Sequence, residues 1–185
     1  MERKLGVPMF LRRTIHLLAA AGCLVIGPYD SFGTSIVPPS DKTILSPNQS
    51  FELKISAKSG LHRLRKANGL HKTLWTFRRH VWHDDYFVSS TGGHVACISW
   101  EFVKSEDLDL PAVVIYGATG EVAKVTFRQV GDARGYRRRE IGPIGEFWRV
   151  WRESVAHTGE TVEIKTPSGR KLVVDLAKGS ITLSG

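Results

Sequence analysis

The stretch FELKISAK, Phe51 to Lys58, alternates apolar and polar residues along its whole length. Phe51, Leu53, Ile55 and Ala57 fall on one side, and Glu52, Lys54, Ser56 and Lys58 on the other. A period of two is the mark of a strand with one buried and one wet face. The same rhythm returns in HVACISWEF, where Ala96, Ile98, Trp100 and Phe102 align. It returns again where Ala123, Val125 and Phe127 oppose Lys124, Thr126 and Arg128. Between such runs stand Ser59-Gly60, Asn68-Gly69, Gly92-Gly93, Thr119-Gly120, Thr158-Gly159, Ser168-Gly169 and Lys178-Gly179. Glycine in these pairs supplies the positive φ that tight hairpins demand. No segment after residue 50 shows a helical period, so the class is all-β.

The strands group into units near 50–79, 85–130 and 146–183, the second holding strands at 85–90, 94–103, 111–117 and 121–130. Four-stranded meanders at this interval are the pattern of propeller blades, and three are too few to close a ring. The sheets must pack face to face, curl into an open barrel, or complete themselves by oligomerising. The expectation is an antiparallel meander of propeller-like four-stranded sheets, with a β-sandwich or open barrel as the alternative. The phrases SPNQSFELKI, VSSTGGHVACISW and VVDLAKGSITL, the long run LWTFRRH…GATGEV, and IGPIGEFWRVWRE resemble exported bacterial proteins with propeller-like β-meander repeats. That resemblance covers most of 49–185 and implies fold and address only, with no activity and no site residues.

The N-terminus supports the same address. Arg3, Lys4, Arg12 and Arg13 outweigh Glu2, residues 14–26 are apolar, and Ser31-Phe32-Gly33 gives a small-residue exit. This order predicts a signal helix over 1–33 and export to the periplasm or beyond. A Pro/Ser/Thr-rich linker at 34–48 and one domain at 49–185 follow. An uncleaved anchor competes, although thirteen apolar residues fall short of the roughly 20 that span a bilayer. Ala20-Ala21-Gly22-Cys23 resembles a lipoprotein box, in which a lipidated Cys23 would anchor the protein to a membrane. Arg12-Arg13-Thr14-Ile15 has a twin-arginine look, from which Leu11 and His16 depart.

Residues 34–185 hold 22 basic and 16 acidic side chains. Outside the cytosol this excess points to an anionic envelope polymer or a protein partner rather than nucleic acid. Membrane contact is expected only through an uncleaved signal or Cys23. Cys97, alone in the mature chain, reads as a small core residue.

Candidate sites fall in three places. Arg134, Tyr136, Arg137, Arg138 and Arg139 precede Phe147-Trp148-Arg149-Val150-Trp151-Arg152, separated by a glycine-bearing turn. Arginine forks suit carboxylate and phosphate, and tryptophan offers a flat face. Arg137, Arg138, Arg139, Trp148 and Trp151 are therefore the expected contact surface, on a long loop from Gly131 to Gly145. His80, His83, Asp84 and Asp85 are weak metal candidates, since residues three apart on a strand face opposite ways. Glu106, Asp107 and Asp109 suggest calcium but lack the spacing of a calcium loop. Glu101 with Asp107 or Asp109 would give a hydrolase its carboxylates. No nucleophile elbow, phosphate-binding loop, zinc-protease or dinucleotide motif is present. The reading is a non-catalytic binding domain without a cofactor. The alternatives are an envelope-polymer hydrolase or a metal-binding accessory protein.

Overall fold

The first sheet is an antiparallel meander of β1 (Lys42–Leu45), β2 (Phe51–Ile55), β3 (Leu61–Lys66) and β4 (Thr73–Arg78). It belongs to a computed structural model that describes residues 39–185 except 70–71, 80–82, 101, 105–106, 132–136 and 142–145. Over 137–141 and 146–149 the backbone alone is described. The expected signal helix and Cys23 lie outside the described residues. β1 corrects the linker assignment: its register pairs Lys42 with Ile55 and Leu45 with Glu52. Four residues with one apolar side chain half-buried are too few to show alternation.

The middle sheet contains β5 (Asp85–Val88), β6 (His94–Ile98), β8 (Pro111–Gly117) and β9 (Gly120–Thr126) in that order. The expected strand 94–103 is split. After Ile98 the chain leaves the sheet and forms β7 (Phe102–Lys104), which pairs elsewhere. Ser99 marks the exit, its N–H still donating to Ala112 O at 2.9 Å. The expected strand 121–130 also ends early, in the helical turn α1 (Phe127–Val130). Thr126 Oγ1 accepts the Gln129 N–H and Gln129 Oε1 accepts the Thr126 N–H, a capping box that starts the helix.

β10 (Arg137–Ile141) and β11 (Glu146–Val150) join β7 in a small three-stranded sheet, order β10-β11-β7. The last sheet is the meander β12 (Ser154–Thr158), β13 (Thr161–Lys165), β14 (Lys171–Asp175) and β15 (Ser180–Ser184). The third unit thus begins at Ser154 rather than 146, because β11 belongs to the small sheet.

The sheets stack face to face, and among the described residues none closes into a barrel. Toward the first sheet, the middle sheet presents Tyr86, Val88, Val95 and Cys97, packed with Leu53, Ile55, Leu64 and Phe77. Toward the last sheet it presents Ala96, Ile98, Val113 and Ile115, packed with Val162, Ile164, Leu172 and Val174. Covered on both sides, the middle sheet has four consecutive buried residues in β6, so alternation disappears there. The outer faces of the two flanking sheets are polar, with Lys54 and Arg63 exposed on one and Lys165 on the other. The stack therefore buries its apolar surface without closing a ring.

The turn glycines position these layers. Gly92 has φ 68°, and a Cβ there would meet the Phe51 ring at 2.5 Å. Only glycine admits that close approach of the β5–β6 turn to the first sheet. Trp75 Nε1 donates to Gly92 O across the same seam at 3.0 Å.

Candidate functional site

The small sheet sets the predicted arginines and tryptophan in register. Arg139 pairs with Trp148, and Trp148 pairs in turn with Lys104, giving one row across β10, β11 and β7. Arg137, Val150 and Phe102 form a row of the same parity, whereas Arg138 falls in the intervening row with Arg149 and Val103. Val103 is 3% exposed and belongs to the core, while Lys104 is half-exposed. Strand alternation thus separates Arg138 from the other two arginines. The expected loop from Gly131 to Gly145 contains a strand, β10. Arg134 and Tyr136 lie outside the described residues.

Trp151 is not on the contact surface. It is fully buried, meets Phe127 edge-to-face at 5.4 Å between ring centroids, and donates its indole N–H to Trp100 O. Alternation left open which aromatic set faces inward. The apolar wall built by Phe127, Val130 and Val103 draws Trp151 into the core. Arg152 is also committed, its Nη1 2.8 Å from Asp85 Oδ2.

The segment from Arg78 to Asp85 connects the first and middle sheets, and its chemistry is an ion pair. Arg79 Nε donates to Asp84 Oδ2 at 2.7 Å, and Arg79 Nη2 donates to Ser99 Oγ at 2.9 Å. Ser99 Oγ donates onward to Pro111 O at 2.7 Å. The two charged side chains are 7% and 0% exposed. Burial pushes the Asp84 carboxyl up to about 6, against the pull of the Arg79 guanidinium. At neutral pH the pair is ionised. The link fixes the β4–β5 connection to the point where β6 ends and β8 begins.

Beside this pair lies a cavity of about 220 Å³, lined by Lys42, His62, Arg79, His83, Asp84 and Tyr86 among others. That is smaller than the roughly 300–1,000 Å³ of pockets for drug-sized ligands. Lys42 Nζ donates to Asp84 O at 3.1 Å and sits 5.3 Å from the Tyr86 ring centroid. Tyr86 and His62 share a hydrogen bond of 3.3 Å. Burial raises the Tyr86 hydroxyl and the Cys97 thiol well above their ordinary ranges, so Cys97 is a core residue and a poor nucleophile.

Of the proposed metal ligands, His80 lies outside the described residues. His83 lines the cavity at φ 59°, Asp84 is bound to Arg79, and Asp85 to Arg152. Among the described residues no three His, Cys, Asp or Glu side chains converge on one point. In the acidic loop, Asp109 accepts two bonds from Arg128, at 2.6 and 2.9 Å. Arg128 holds that exposed carboxyl below its ordinary range, which suits a surface ion pair and not a general acid. Glu101 and Glu106 lie outside the described residues.

Sequence reasoning missed Lys42, His62, Tyr86 and Ser99. Their signals are non-local: a lysine in an apparent linker, a histidine on the buried side of β3, and a serine where a strand was expected to continue. Arg79 and Asp84 were in view, but their pairing requires the chain to turn between β4 and β5.

No family model matches the chain, and no curated protein matches it by sequence. Solved structures similar to it are distant. U3-55K is 13% identical over 77% of this chain and 38% of its own, with a TM-score of 0.41. Hsv2 from Kluyveromyces lactis is 12% identical over 78% and 46%, with a TM-score of 0.38. A functionally unknown protein from Desulfotomaculum acetoxidans is 9% identical over 78% and 55%, with a TM-score of 0.36. The chain thus spans 38% to 55% of the length of these structures.

Proposed function

We propose that the chain is an exported, non-catalytic β-domain that binds an anionic envelope polymer through its small sheet. The observation that carries this reading is the row Arg139–Trp148–Lys104, with Arg137 in the row of the same parity. Two cationic residues flank a tryptophan on adjacent strands, about 4.8 Å apart. Guanidinium and ammonium groups suit carboxylate or phosphate, and an indole suits a sugar face. The basic leader and apolar run at 1–26 support export, and they lie outside the described residues. Among the described residues no helix is long and apolar enough to cross a membrane.

The test is binding of the full chain to polygalacturonate, a soluble anionic polysaccharide, over a salt series. The double variant Arg137→Ala/Arg139→Ala is expected to bind at least about tenfold more weakly and to lose most of the salt dependence. Arg138→Ala, in the other row, is expected to bind nearly as the parent does. Unchanged affinity and salt slope in the double variant would defeat the assignment. Export is tested separately, by mass spectrometry of the N-terminus of protein recovered from the cell envelope. Recovery with Met1 attached from cytoplasm contradicts it.

A further inference from the structure

We propose that the outer face of the first sheet docks on an anionic lipid bilayer. Across its four strands runs the row Thr43–Lys54–Arg63–Thr76. Lys54 and Arg63 stand directly opposite each other, both exposed, and neither forms an ion pair among the described residues. Like charges opposed across strands oppose pairing. The neighbouring row on the same face shows that the sheet accepts a match, since Glu52 pairs with Arg65 there. Arg78, opposite Leu61, and Lys58, in the β2–β3 turn, extend the exposed cationic area. From Asp41 to Arg79 the sequence has nine basic and two acidic residues. Asp41, at the rim of this area, is occupied by the Ala57 N–H at 2.8 Å.

The form of the face selects the partner. A four-stranded sheet offers its charges across roughly 14 Å of strand spacing, in a broad surface rather than a cleft. Exposed leucines stand on its two edge strands: Leu45 on β1 is 50% exposed and Leu74 on β4 is 43% exposed. A soluble polyanion uses the cations and has no use for the leucines. A bilayer interface takes both, phosphate headgroups against Lys54 and Arg63 and the acyl boundary against the leucines. This contact is independent of the small sheet and of any N-terminal anchor.

The experiment is co-sedimentation of the full chain with vesicles of phosphatidylglycerol and phosphatidylethanolamine, against vesicles of phosphatidylcholine alone. Any contribution of the apolar run at 14–26 appears with both. Preferential binding to the anionic vesicles is expected. Lys54→Gln/Arg63→Gln should lower it about thirtyfold, from the contribution typical of two basic residues near a charged surface. Leu45→Ser/Leu74→Ser should lower it further at high salt, and Arg137→Ala/Arg139→Ala should leave it unchanged. An unchanged thermal midpoint for the Lys54/Arg63 variant shows that it folds. Equal binding to the two vesicle types, or equal binding by parent and that variant, overturns the proposal.

Discussion

The first and last sheets are the same four-stranded meander, yet they meet the middle sheet and the solvent on different terms. The last sheet packs through Val162, Ile164, Leu172 and Val174, a seam closed at one side by Trp151, with His94 Nδ1 2.9 Å from Leu176 O and the Ser90 N–H donating to Glu160 Oε1. The first sheet packs through Leu53, Ile55, Leu64 and Phe77, but carries His62 and Tyr86 in the seam and the Arg79–Asp84 pair at its end. Outside, the last sheet pairs Lys171 with Glu163, Nζ 2.7 Å from Oε1, although Lys165 stands directly opposite Lys171. The first sheet leaves Lys54 facing Arg63. What distinguishes the first sheet is the ion pair buried at its seam, Arg79 with Asp84.

The largest expected effect breaks the seam of the last sheet. Trp151→Ala should destabilise the fold by about 3–5 kcal/mol, the usual cost of truncating a buried tryptophan. The change also removes the indole N–H that Trp100 O accepts. Chemical denaturation at pH 5 and pH 7.5 should give the same loss, since Trp151 packs on apolar side chains and on Arg152, which stays charged at both. A loss below about 1 kcal/mol would show that Trp151 does not close the seam.

How much of this contrast was legible in the sequence depends on local periodicity. β2 announced itself, because Leu53 and Ile55 alternate with Glu52 and Lys54 and one face is wet. The turns did too: Gly60, Gly92, Gly120, Gly159, Gly169 and Gly179 all have positive φ. The alternation read through HVACISWEF misled, since sheets cover both faces of β6 and its end at Ser99 depends on the distant partners Ala112 and Arg79. The capping box at Thr126 and Gln129 was legible and overlooked, hidden by the strand pattern running into Phe127. For the candidate site, the basic-aromatic segment was visible, but only register could separate Arg137 and Arg139 from Arg138. Burial of Trp151 depends on α1, which no period-two reading contains.

A second prediction sharpens the contrast between seams through pH. Arg79→Met removes the countercharge of a buried carboxylate and should cost about 3 kcal/mol or more at pH 7.5. The sign follows from Asp84, whose folded carboxyl is pushed up to about 6, above the roughly 3.9 of an unfolded aspartate. Between those values the folded state holds the extra proton, so this group favours folding more as pH falls through the window. Without Arg79 the carboxyl is raised further, and acidification neutralises it earlier. The destabilisation by Arg79→Met should therefore shrink between pH 7.5 and pH 5. Urea midpoints of parent and variant check this, and a loss that is flat or grows toward pH 5 would refute the pairing.

The smallest expected effect separates function from fold on the two outer faces. Arg63→Glu replaces a like-charge opposition to Lys54 with an attractive one, and should raise stability by a few tenths of a kcal/mol. Lys171→Glu on the last sheet loses the pair with Glu163 but gains an attraction to Lys165, which stands directly opposite, and should leave stability nearly unchanged. Both sites are surface-exposed or nearly so, which keeps the effects small and sensitive to salt. Binding to anionic vesicles should respond in the opposite order, with Arg63→Glu losing most of it and Lys171→Glu little. If the cationic face of the first sheet were only a solubilising surface, the two variants would bind vesicles equally. A stabilised variant that no longer binds identifies Arg63 as a residue kept for its partner.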